Sequence, residues 1–169
     1  CPRDSSLSRS PNVHSHLMSL TPSSTLPYSL SHLADRTLLH DLAALVTQDR
    51  VTTAELLAHI AEVDERRLYA PEAYSSMYDY CVRELRMSED TAAKRIRVAR
   101  TARQFPTIFV SLAGGRLTLS AVLLLAPHLK PDTPATLADE LLAAAAHKTT
   151  AEIELLLAER FPRPDAPTL

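Results

Sequence analysis

The chain has 169 residues, a formal net charge of −2, 46% apolar residues and only two glycines, the adjacent Gly114 and Gly115. That length and apolar content suit one domain with a real core. The shortage of turn glycines, beside abundant Leu and Ala, makes the expected fold class all-α. A mildly acidic chain is no polycation, so any nucleic-acid contact must come from a local patch. Two cysteines, Cys1 and Cys81, form no CxxC pair, which excludes a disulfide framework and a zinc ribbon. Cys81 reads as a reduced core thiol, and the expected location is the cytoplasm. No apolar run approaches the roughly 20 residues of a membrane span.

Residues 1–30 are rich in Ser and Pro with scattered Leu. Such a segment cannot bury enough surface to offset its ordering entropy, so a disordered tail is expected. His14 and His16 make an H-x-H pair there without further ligands, and no metal site is expected. The helical domain is expected over residues 31–162. The run "FPRPDAPTL" then reads as the start of a Pro-rich linker over 163–169. With Cys1 at the other end, that suits a piece of a longer protein.

About eight helices are expected. Leu38, Leu39, Leu42, Leu45 and Val46 follow the spacing of a buried face in a first helix, capped by Asp35 or Ser31. Thr52 and Glu55 have the spacing of a capping box for a second helix, with Leu56, Leu57, Ile60 and Val63 as its apolar stripe. A third, "YSSMYDYCVREL", is capped by Ser75 or Ser76. "RMS" turns the chain, and Ser88 caps a fourth that buries Ala92, Ile96, Ala99 and Ala102 and ends near Gln104. Pro106 opens a short fifth helix, stopped by the glycine pair. Thr118 caps a sixth, Leu-rich and expected to be fully buried. Thr133 with Pro134 starts a seventh through Ala146, and Thr149 with Glu152 forms a capping box for an eighth.

The functional signal lies in "CVRELRMSEDTAAKRIRVARTAR", residues 81–103. A short helix, a tight corner and a second helix with small inner residues form the pattern of a helix-turn-helix, here over about 76–103. The outer face of the second helix carries Lys94, Arg95, Arg97, Arg100 and Arg103. Three-residue steps line most of these up as a slowly drifting stripe suited to phosphates. Glu89 and Thr91, near the helix start, are expected to face the groove; the acids there disfavour a strong base-reading face. An all-solvated basic face is the ordinary alternative.

"LRMSEDTAAKRIRVARTARQFPTIFVSLAGGRLTLSAVLLLAPHL" resembles the helix-turn-helix segment of ParB-like partition proteins, most of all in "GGRLTLSAVLLL". Together, "TTAELLAHIAEVDERRLY", "YSSMYDYCVREL" and "GGRLTLSAVLLLAPHL" resemble the N-terminal helical region of bacterial HNH-endonuclease-type proteins. The likeness covers about residues 31–162. It implies a region preceding a Pro-rich linker and a distant catalytic module. That module needs a base His, an Asn and metal-binding His or Asp residues in a ββα unit. The seven His are scattered, and the one Asn is Asn12. The chain itself is therefore expected to have no catalytic residues, no metal and no cofactor. The expected partner is double-stranded DNA, with self-association as a second expectation and no membrane. The alternative function is a helical protein-interaction or dimerisation module.

Overall fold

A computed structural model describes residues 28–162. The expected tail, apart from its last three residues, and the expected linker lie outside the described residues, as do His14 and His16. Within 28–34, Leu33 N–H donates to the Leu30 carbonyl in a turn. From residue 35 onward the described chain is all helix and loop, as the composition implies, with seven α-helices: α1 (Asp35–Glu65), α2 (Met77–Arg83), α3 (Glu89–Gln104), α4 (Thr107–Ala113), α5 (Leu119–Leu125), α6 (Ala135–Ala145) and α7 (Thr150–Arg160). A 3-10 turn, Ala126–His128, extends α5.

The first two expected helices are one. α1 runs 31 residues without a break. No Pro or Gly interrupts it, and the Thr52 hydroxyl accepts from Gln48 Nε2 on the preceding turn rather than capping a new start. The expected buried face of Leu38, Leu39, Leu42, Leu45 and Val46 is also corrected: all five are exposed. Burial on α1 begins at Ala54 and continues through Leu57, Ile60 and Ala61. His59, read as half-buried, is exposed, with Nδ1 2.7 Å from the Glu55 carbonyl.

The other starts follow their caps. Ser76 accepts from Asp79 N–H, Ser88 from Thr91 N–H and Thr118 from Ala121 N–H. Thr149 and Glu152 close a full capping box. Thr133 does not cap α6: its hydroxyl accepts from Lys130 N–H and donates to the His128 carbonyl, folding the loop before Pro134. α5 is less buried than its composition suggests. Ala121, Val122 and Leu125 are interior, while Leu123 and Leu124 are half-buried.

α3 is the centre of the domain. It packs on α1, α2, α4, α5 and the 3-10 turn, while α6 and α7 pack on α5. Its inner positions Ala92, Val98, Ala99 and Ala102 are fully enclosed. Three are alanines, which lets neighbouring helices approach closely. Gly115 follows α4 at φ 69°, and a Cβ there would lie 2.6 Å from an Arg50 guanidinium nitrogen. The positive φ favours glycine there, whereas the Arg50 guanidinium is the end of a flexible side chain and could move aside.

Candidate nucleic-acid interface

α2 and α3 are joined by Glu84–Ser88. This corner contains no glycine, and Arg86 adopts the left-handed conformation instead, at φ 56°. Met77 and Cys81 bury the inner side of α2. Enclosure raises the Cys81 thiol pKa, with the Asp64 charge adding to it and Arg95 opposing it. A helical pair in the expected place is therefore present, with α3 as its longer member.

The expected basic residues divide among three surroundings. Lys94, Arg97 and Arg100 share the exposed face of α3 with Asp90, Ala93 and Gln104. Lys94 Nζ bonds Asp90 at 2.7 Å. Arg100 grips Asp64 of α1 with two hydrogen bonds, Nε to Oδ2 at 2.7 Å and Nη2 to Oδ1 at 3.2 Å. That bond raises the Arg100 pKa above its usual value. Arg103 turns to the end of α1, reaching Glu62 at 2.9 Å and Glu65 at 3.3 Å. Glu62 is held below the usual carboxylate range, first by Arg103 and then by Arg66. Arg95 lies on another side, half-buried, with Nη1 3.9 Å from the Met87 sulfur. It shares a cleft with Asp49, Arg50 and Gly115.

Arg97 differs from these. It is exposed and, among the described residues, has no carboxylate within ion-pair distance. It opens onto a groove of about 630 Å³ between the start of α2, the outer face of α3 and the segment after the 3-10 turn. Arg97, Arg100 and Lys130 line that groove beside Ser76, Tyr78, Thr101 and Gln104, and no carboxylate lines it. Lys130 is the residue that sequence reading missed. It lies outside the α2–α3 segment, and only the packing of the 3-10 turn on α3 brings it near.

The expected groove-facing pair behaves differently. Glu89 is exposed and adjoins Tyr78. Burial raises the pKa of that hydroxyl, and the Glu89 charge and hydrogen bond add to the shift. Thr91 is half-buried, and its hydroxyl accepts from Ser88 Oγ at 2.7 Å, so it serves the helix start. Neither lines the groove.

Among the described residues, no three His, Cys, Asp or Glu side chains gather as a metal site. No described helix is long and apolar enough to cross a membrane. No family model, curated protein or solved structure matches the chain.

Proposed function

We propose that this chain is a non-catalytic DNA-binding domain of the cytoplasm. In this reading it is the N-terminal helical region of an HNH-endonuclease-like protein whose catalytic module lies outside the chain. The observation that carries the DNA-binding part is the groove beside α3: three cations line it without a carboxylate, and among the described residues Arg97 has no ion-pair partner. Arg97 and Lys130 are the first phosphate contacts. Lys94 joins them readily, because an exposed i,i+4 pair such as Lys94–Asp90 is worth little and yields to a phosphate. Arg100 presents its outer edge while Asp64 fixes the guanidinium. Arg95 and Arg103 contribute at the margin. Such contacts set register on the duplex and carry no sequence information.

The test is binding of the whole chain to a random duplex at two salt concentrations. Each phosphate contact contributes roughly −0.9 to the slope of log affinity against log salt. A slope of about −3 to −4 is expected for this groove. Arg97→Glu with Lys130→Glu should abolish binding and leave the helical signal intact. Binding that survives the double reversal overturns the reading.

A second reading, a helical self-association module, is favoured by one separate observation, the exposed leucine face of α1.

A further inference from the structure

Phosphate contacts account for the three cations of the groove beside α3 but not for the rest of its lining. Much of that lining is apolar: Ala93 and Ile96 of α3, Ala126 of the 3-10 turn, and Leu129 and Pro131 after it. Tyr78 of α2 lines the groove as well, with 41% of its surface exposed. Its hydroxyl neighbours Glu89, which stays outside the groove. The ring is therefore the part of Tyr78 left for a ligand. Gln104, exposed at the end of α3, adds an amide that both donates and accepts hydrogen bonds.

We propose that this groove takes an unpaired nucleotide, so that the domain binds single-stranded DNA, or a single-stranded stretch beside a duplex, more tightly than a fully paired duplex. The inference rests on the DNA-binding reading and names the form of DNA that the site takes.

Shape separates the two forms. A paired duplex turns its phosphates outward and keeps its base faces stacked inside, out of reach unless a base is extruded. It can set phosphates on Arg97, Arg100 and Lys130, but it brings no base face to a recess, and an apolar lining gains nothing from a phosphate. An unpaired nucleotide carries a flat face, a polar edge and a phosphate together. The groove has a counterpart for each: the Tyr78 ring and the apolar lining for the base face, Gln104 for its edge, and the cations for the phosphate. A basic groove joined to an aromatic ring is a general means of holding single strands, because every base has a face to stack. The volume of about 630 Å³ also lies within the roughly 300–1,000 Å³ of pockets that enclose small ligands, a class that includes a nucleotide and excludes a duplex.

Two of the cations are held ready. Arg100 is fixed by Asp64, and the Lys130 backbone N–H donates to the Thr133 hydroxyl in the folded loop before α6. Ligand ordering then costs the protein less. An acidic peptide would occupy the same cations, but its carboxylates would leave the Tyr78 ring uncovered.

The experiment is fluorescence anisotropy with the full chain and labelled DNA in three forms of equal phosphate count: a blunt duplex, a duplex with a short single-stranded tail, and a single strand of mixed sequence. The tailed and single-stranded forms are expected to bind at least roughly fivefold more tightly than the blunt duplex, the lower bound for one stacked base. Raising the salt should lower every affinity and preserve that preference, since stacking is not screened. Tyr78→Ala should erase the preference and leave blunt-duplex affinity unchanged, whereas Tyr78→Phe should retain it. Circular dichroism of both variants should match the parent chain. Equal or weaker binding of the tailed and single-stranded forms overturns the inference and leaves the duplex reading standing, and so does a preference that survives Tyr78→Ala. Failure of all three forms to bind overturns both and leaves the groove to an acidic peptide.

Discussion

Arg100 and Asp64 tie the middle of α3 to the end of α1 through a two-pronged ion pair between residues 36 apart in sequence. Asp64 keeps only 14% of its side chain exposed and Arg100 keeps 62%. Truncating the arginine therefore strands a shielded carboxylate, whereas truncating Arg97 strands nothing. Arg100→Ala is expected to cost about 1 kcal/mol in urea unfolding, between the values for exposed and for shielded pairs. Arg97→Ala should cost less than about 0.5 kcal/mol while weakening duplex binding more than Arg100→Ala does. Equal stability losses would show that the Asp64 bond is not structural.

The enclosed alanines of α3 set a second expectation. Ala99 has no exposed surface, and overpacking such a site costs roughly 1–3 kcal/mol. Ala99→Leu should lower the unfolding free energy measured in urea by that amount. Ala93→Leu, on the exposed face of the same helix, should stay within about 0.5 kcal/mol. The reverse order would mean that α3 presents a different face to the core.

The contrast between legible and illegible features has a physical basis. Ser76, Ser88, Thr118 and the Thr149–Glu152 box were readable because a cap is a local event, settled within four residues. Thr52 and Glu55 carry the same spacing, yet nothing before them ends a helix, so α1 continues through. Thr133 has the right type for a cap but bonds within the loop. Periodicity identified the leucine stripe of α1 as apolar, though not what covers it, because the pattern is identical for a core face and for a docking face. The small inner face of α3 was likewise visible. The fates of Arg100 and Arg103 were not, since their acidic partners come from α1, and Lys130 reaches the groove only through packing of the 3-10 turn.

The corner between α2 and α3 offers a stabilising change. Arg86 holds φ 56°, a conformation that costs an L-residue roughly 1–2 kcal/mol and glycine almost nothing. Part of that gain is lost to the greater freedom of glycine in the unfolded chain. Arg86→Gly is expected to raise stability by about 0.5 kcal/mol, measurable as a higher thermal midpoint. A drop would mean that the Arg86 side chain contributes more than its backbone strain.

Titration should bracket the stable range from both sides. Glu152 is held below the usual carboxylate range first by the Thr149 backbone N–H and then by its hydroxyl. Glu62 is held low by Arg103 and Arg66. A depressed folded pKa gives stability that is fully present above the unfolded value, about 4.3. It is lost as pH falls through the folded value, so the acid limb lies below about pH 4. Tyr74 is raised, chiefly because its hydroxyl donates to Glu84, and Tyr78 is raised chiefly by burial. A raised folded pKa gives stability that is present below about pH 10 and lost as pH rises through the folded value. Thermal midpoints should form a plateau between these limits. Glu152→Ala should lower the plateau and flatten the acid limb, and Tyr74→Phe should flatten the alkaline one. An acid limb of unchanged slope in Glu152→Ala would show that the capping box does not carry it.

Cys81 gives a probe of the α2–α3 packing that needs no ligand. Its side chain is enclosed and its thiol is raised by that burial, so the reactive thiolate is scarce and out of reach at neutral pH. In a Cys1→Ser chain, a thiol reagent should label Cys81 only as fast as the domain opens, and at once in guanidinium. Under native conditions the labelling rate then reports the opening free energy of the helical pair. Arg100→Ala should accelerate labelling about fivefold, the factor that corresponds to a loss of about 1 kcal/mol. Arg97→Ala should leave the rate unchanged. If both variants label alike, the Asp64 bond does not restrain the helix pair that encloses Cys81. Rapid labelling of the unmutated thiol would mean that α2 does not stay seated on α3.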